Sequence, residues 1–238
     1  MSKAIKVEMK KKNFAFLVPA RAGSKSIKNK NILKLGNKRL IEYTFDAIPK
    51  KYYKNTFVIS DDKKVKKISK KYSINTDYVR PKNLSKDDTS LFETIYGFHK
   101  WIKLKKKYDF YIILQPTSPL RSKRDILASI EIFKNNSVKS HFSVSESIEH
   151  PYETIFFKKK KIKLLFPNAK KYFRRQDFDK ETYFINGAIY ISHVSLIEKQ
   201  KKIYSFKSLS CNVMSKKNSV DLNDNDELSI LRKILNRN

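Results

Sequence analysis

The sequence predicts an α/β fold: a doubly wound, mostly parallel sheet with helices on both faces and one small β-rich excursion. Short apolar runs that read as buried strands alternate with amphipathic segments along the 238 residues. That rhythm breaks over 148–186, where two β-rich pieces flank a lysine run. Polar strings also follow several strand candidates directly, at the sheet edge where open α/β folds bind ligands.

The strand candidates, in order, are 14–19, 55–60, 77–80, 110–115, 141–147, 187–192 and 208–214. Each is short and rich in β-branched or aromatic residues. Helices are expected over 39–48, 62–72, 89–104, 122–135, 194–200 and 224–235 from their apolar spacing. Asp88 or Thr89 can cap the third helix, Ser122 the fourth, and Asp224 or Asp226 the last. Residues 148–186 read as a hairpin-like excursion from a single domain spanning 1–238. No internal repeat or low-complexity linker marks a second domain.

Forty percent hydrophobic and 13% aromatic content excludes a disordered chain, although 32% of residues are charged. The net charge of +30 raises nucleic acid as a partner. The lysines are scattered, with runs at 10–12, 105–107 and 158–161, and lack the interleaved aromatics of a base-stacking surface. Most of this charge is therefore read as solvated surface. No run is long enough to span a membrane and no apolar signal core follows the basic start. Cys211 has no internal disulfide partner, and a cytoplasmic protein is expected. His99, His141, His150 and His193 show no metal-ligand spacing.

Against this lysine-rich background, the scarce residues stand out. Only nine of the 53 basic residues are Arg, and Arg21, Arg80, Arg121, Arg174 and Arg175 lie in loop-like strings. Lysine can replace arginine as a point charge, but not as a planar fork for phosphate or carboxylate. Gln115 and Gln176 share those strings, as do Gly23 and Gly187.

PARAGSK, followed by NKN, closes the first strand. Gly23 allows close backbone approach and Ser24 adds a hydroxyl. Lys25 and Lys30 can neutralise phosphate charge, and Arg21 can fork across two phosphate oxygens. This is neither GxxxxGK[ST] nor GxGxxG. In ILQPTSPLR, two prolines fix a turn from which Gln115 and Thr117 project. FRRQD places two arginines beside Gln176, suited to a carboxylate or pyrophosphate. Asn186 and Gly187 suggest a tightly approached backbone at a strand start.

These strings, in this order, resemble the acylneuraminate cytidylyltransferases, which include the legionaminic and pseudaminic acid enzymes and join CTP to a nine-carbon sialic-acid-like sugar. The resemblance spans nearly the whole chain: PARAGSK, RPKNLSKDDTS, QPTSPLR, FRRQD, NGAIY and the aspartate of SVDLN. It implies a Rossmann-like nucleotidyltransferase. It assigns Arg21, Gly23, Ser24, Lys25, Lys30, Asn31, Arg80, Thr89 and Ser90 to the nucleotide. Gln115, Thr117, Ser118, Arg174, Arg175, Gln176 and Asn186 go to the sugar, with Arg121 at the border. Asp221 would hold Mg²⁺; where the family usually has a second aspartate, this chain has Asn223. Ser26 and Lys28 stand where the family usually has Gly and often Pro. Arg21, Lys30 and Asp221 would carry catalysis, and the 148–186 insert would make a homodimer. A sister nucleotidyltransferase, for an eight-carbon sugar acid or another nucleotide, and a nucleic-acid-binding protein are the alternatives.

Overall fold

Side chains along FAFLVP point alternately to opposite faces of a sheet, as extended backbone requires. In the computed structural model, which describes residues 13–24, 26–167, 174–178 and 180–235, this segment is strand β1 (Phe14–Pro19). Phe14, Phe16 and Val18 enter one apolar core and Ala15 and Leu17 another, on the opposite face. A strand buried on both faces reads as one continuous apolar run.

The chain continues through β2 (Lys34–Leu35), β3 (Lys38–Arg39), β4 (Thr56–Ile59), β5 (Phe110–Ile113) and β6 (Ser140–Glu146). It ends with β7 (Ile155–Lys158), β8 (Lys161–Leu164), β9 (Tyr183–His193) and β10 (Leu209–Val213). Among the described residues the helices are α1 (Leu40–Ala47), α2 (Lys63–Lys71), α3 (Leu91–Ile102), α4 (Lys123–Asn135) and α5 (Asn225–Leu235). The central sheet has the order β10-β6-β9-β5-β1-β4. All its pairings are parallel except those of β9, which runs against both β5 and β6. Helices α1, α2 and α4 cover one face, through Phe45, Val65 and Phe133. On the other face α3 packs through Ile95 and Phe98. The doubly wound α/β expectation holds.

Capping explains several boundaries. Ser122 caps α4 and accepts from Asp125 N at 3.2 Å. For α3 the cap is Ser90, not Asp88 or Thr89: its hydroxyl accepts from Glu93 N, and Glu93 reaches back to Ser90 N. Asp224 caps α5 by accepting from Asp226 N and Glu227 N. The strand expected at 77–80 reduces to one bridge, Ser60 with Val79. Val79 is exposed and Pro81 follows, so neither packing nor an amide supports a longer ladder. The helix expected over 194–200 is a single wide turn, Leu196–Gln200. Within 148–186, β7 and β8 form a separate two-stranded hairpin, while 183–186 already belong to β9.

Candidate active site

The first polar loop leaves β1 at the carboxyl edge of the sheet. Gly23 sits at φ +70°, which an L side chain adopts only with strain. Asn31, nearly buried, donates to the Arg21 carbonyl at 2.9 Å and clips the two ends of the loop together. Asp61, just beyond β4, accepts from Ala22 N at 2.8 Å. The Arg21 guanidinium donates to Gly23 O at 2.9 Å and pairs with Asp87 at 2.7 Å. Arg80 lies almost buried and donates to Leu84 O. Burial lowers its pKa; Asp61 opposes that shift and Arg21 adds to it.

Hydrophobic packing brings the far end of the sequence to this loop. Leu228 and Leu231, three residues apart on α5, bury with Ile27, Leu35, Leu40 and Leu222. Burial of each such side chain contributes about 1.5–3 kcal/mol. Lys30 then donates to Leu222 O at 2.9 Å and Asn223 O at 3.1 Å. Burial lowers the pKa of its ammonium; Asp221, Glu227 and Asp224 counteract this.

The QPTSPLR turn completes the junction. Leu222 N donates to Thr117 O at 2.7 Å, and the Ser118 hydroxyl donates to Asp221 Oδ1 at 3.3 Å. On the other side Gln115 Nε2 donates to Gly187 O at 3.1 Å, so the turn also meets the start of β9. Because β9 is antiparallel, its first residues reach the same edge as the last residues of β1 and β5. Arg21, Lys30, Gln115 and Asp221 thus belong to one contiguous rim of loops.

Some expected residues lie elsewhere or are occupied. Ser90 donates to Glu93 Oε2 as well as capping α3, and Thr89 N is bonded to Lys86 O, so this pair frames a helix start. Asn186 is buried: its oxygen accepts from Ser143 and Ala188 N, and its nitrogen donates to Ser219. These bonds brace the start of β9 from within. Ser118 is buried and turned to Asp221. Exposed Arg174 forks onto Asp177 at 2.9 and 3.0 Å. Gln176 lies in the adjoining turn Arg175–Asp177, and neither Arg174 nor Gln176 is joined to the rim by the network above. Lys25 and the Arg175 side chain lie outside the described residues.

Three participants are absent from the sequence reading. Asp61 and Asp87 hold the first loop and its arginine. Asp61 could have been found, because it directly follows a strand candidate. Tyr190 is the third. A Cβ at Gly187 would lie 3.2 Å from Gln115 Nε2 and 3.9 Å from the Tyr190 hydroxyl, so Tyr190 stands beside the turn. Burial raises its pKa, reinforced by Tyr204 and Asp221. Tyr190 stacks on Tyr204 with ring planes 8° apart, and both line a cleft of about 770 Å³ with Phe92 and Phe206.

Among the described residues no three His, Cys, Asp or Glu side chains form a metal cage. The Asp224 carboxylate is engaged in capping α5. Asp221 would offer a carboxylate and Asn223 a neutral amide. That donor set fits Mg²⁺, which takes few protein ligands and fills its shell with phosphate and water oxygens.

Comparison with known proteins shows the family. An N-acylneuraminate cytidylyltransferase of Streptococcus agalactiae serotype III is 29% identical over 216 residues, covering 89% of this chain and 50% of the relative. The chain therefore spans about half the length of that relative. The CMP-N,N'-diacetyllegionaminic acid synthase of Legionella pneumophila is 28% identical over 227 residues, with 93% and 96% of the two chains covered. The fold is similar to a CMP:2-keto-3-deoxy-manno-octonic acid synthetase complexed with CTP, at a TM-score of 0.67 and 13% identity over 94% of this chain and 99% of that one. The cytidylyltransferase family model matches residues 15–232, and the chain belongs to that family.

Proposed function

We propose that this chain transfers a cytidylyl group from CTP to an acidic, sialic-acid-like 2-keto sugar. The anomeric hydroxyl oxygen of the sugar bonds to the α-phosphorus and gives up its proton to solvent, the α–β anhydride bond breaks, and pyrophosphate leaves. The carrying observation is the Lys30 ammonium, tethered to the Leu222 and Asn223 carbonyls with the Asp221 carboxylate near it. That tether joins the loop suited to phosphates to the segment suited to a cation.

Arg21 and Lys30, with Lys25, neutralise the triphosphate, and the Gly23–Ser24 backbone lets it approach closely. To engage phosphate, Arg21 exchanges Asp87 for a phosphate oxygen. Arg80, buried and bonded to Leu84 O, adds positive charge within electrostatic reach of Arg21 and Asp61, and Asn31 keeps the first loop closed. Positioning and charge stabilisation of this kind account for most of the rate. Gln115 and Thr117 orient the sugar acid, and the aromatic cleft beside Tyr190 takes its apolar substituents. Asp221 and Asn223 would hold Mg²⁺, which supplies charge neutralisation at the phosphates when bound.

The hairpin β7–β8 supports a homodimer. Phe157 and Ile162 are 71% and 64% exposed, with Ile155, Phe156, Leu165 and Phe166 also open to solvent. An apolar patch of this kind is suited to a second copy. The excursion carrying Arg174, Arg175 and Gln176 would then reach the neighbouring copy's sugar site. Among the described residues no helix is long and apolar enough to cross a membrane.

The test is pyrophosphate release with Mg²⁺ and a panel of nine-carbon sugar acids, with CTP compared against the other nucleoside triphosphates. Release with CTP and at least one such sugar supports the proposal. Silence across the panel, or a preference for another nucleotide, contradicts it.

A further inference from the structure

Arg121 closes the turn after β5, and its side chain points into the core. It is 2% exposed, in a chain whose other cations are mostly in water. One guanidinium nitrogen, Nη1, donates to Gln115 O at 3.0 Å and Ala188 O at 2.7 Å. The other, Nη2, donates to the Thr44 hydroxyl at 2.9 Å, and Nε is buried without a hydrogen-bond partner among the described residues. Asp125 and Asp221 are the carboxylates whose charge it feels.

Burying a guanidinium is expensive, and an apolar side chain could fill the same volume more cheaply. What the charge contributes is hydrogen bonds to neutral carbonyls about twice as strong as ordinary ones. Those carbonyls belong to two different segments. Gln115 O lies behind the Gln115 side chain; Ala188 O lies one residue past Gly187. In front, Gln115 Nε2 closes the same gap by donating to Gly187 O. The first loop is fixed by other contacts, from Asn31 and Lys30.

We infer that Arg121 is a positioning residue for the sugar-acid half of the site, holding the Gln115 and Gly187 backbones together from inside the core. Only the identity of the substrate rests on the proposed cytidylyl transfer; the clamp itself does not. A lysine in its place offers one compact donor group and loses the planar fork that spans both carbonyls and Thr44.

The test compares Arg121→Lys, Thr44→Val and the core control Phe133→Leu. Hydrogen exchange is measured on the ligand-free protein, and steady-state kinetics with CTP and the accepted sugar acid. In Arg121→Lys, amides of 114–122 and 184–190 exchange about tenfold faster, while those of β1 and α2 keep parental rates. The KM for the sugar acid rises about tenfold with the KM for CTP within about twofold. Thr44→Val, which removes one anchor and keeps the charge, shows the same pattern more weakly. Phe133→Leu lowers stability without the local pattern. If Arg121→Lys does not fold, Thr44→Val against Phe133→Leu decides. Unchanged exchange in the two segments, uniform loosening of the whole chain, or parallel increases in both KM values overturns the inference. If the parent chain uses no sugar acid, the proposed reaction fails, and the exchange comparison alone decides on Arg121.

Discussion

The Lys30 ammonium donates to the Leu222 carbonyl at 2.9 Å, across 192 residues of sequence. This bond fastens the first polar loop to the segment carrying Asp221, and the Leu228–Leu231 stripe of α5 holds it there. Replacing Lys30 with Met removes the proposed phosphate ligand and this tether together. A fall in kcat/KM of about 10²-fold or more is expected, as for loss of one preorganised charge-stabilising donor. Burial also lowers the Lys30 pKa from its ordinary 10.5. The parent rate profile should therefore show an alkaline fall below that value, absent from Lys30→Arg. Steady-state kinetics with CTP across pH checks both.

Gly187 has φ +72°, and a Cβ there would press on Gln115 Nε2 at 3.2 Å. Gly187→Ala is expected to cost about 1–3 kcal/mol in strain. By displacing Gln115 it should raise the KM for the sugar acid more than that for CTP. Denaturant unfolding and paired KM measurements would reveal both effects.

Asn223 is exposed and stands two residues beyond the half-buried Asp221, with buried Leu222 between them. Asn223→Asp adds a second carboxylate where the cation is proposed to sit. A unit charge about 4 Å from a dication in water is worth about 2 kcal/mol, so half-maximal Mg²⁺ should fall by up to about thirtyfold. A Mg²⁺ titration of the initial rate, with chelator as the zero point, measures it.

His141 is fully buried between Ser210 and Asn212, and burial pushes its pKa down from 6.5 to about 4. Below pH 6.5 the unfolded chain binds a proton that the folded chain refuses, so stability is lost as pH falls from 6.5 toward 4. The full window is worth about 3 kcal/mol. Urea unfolding at pH 7 and pH 4.5 should show this loss in the parent and a smaller one in His141→Gln.

Phe157 and Ile162, paired across the β7–β8 hairpin, are exposed in a single chain. Phe157→Glu should shift the species seen by light scattering from two chains to one. A parent that is already a single chain at micromolar concentration would contradict the proposed dimer.

The sheet was legible because its strands are short apolar runs and its helices carry a 3.6-residue stripe; β1 and α5 follow directly from Phe14–Pro19 and the Leu228–Leu231 spacing. The rim was legible wherever strings rich in Arg, Gln or Gly followed a strand. Asp87 was not, because its role depends on where the 80–90 loop folds back onto Arg21. Tyr190 was hidden inside a strand, where an aromatic looks like core. Arg121 and Asn186 had the composition of ligand-binding residues, but the depth of each side chain is a tertiary property. The 77–80 segment has strand-like residues, yet exposed Val79 and the following proline leave it a single bridge.

A crystal structure of this chain soaked with CTP and Mg²⁺ tests the central claim most directly. The triphosphate should lie between the Arg21–Asn31 loop and Asp221, with Arg21 released from Asp87 and Lys30 on a phosphate oxygen. A nucleotide bound at another edge of the sheet, or bound here with Lys30 and Asp221 remote from its phosphates, would contradict it.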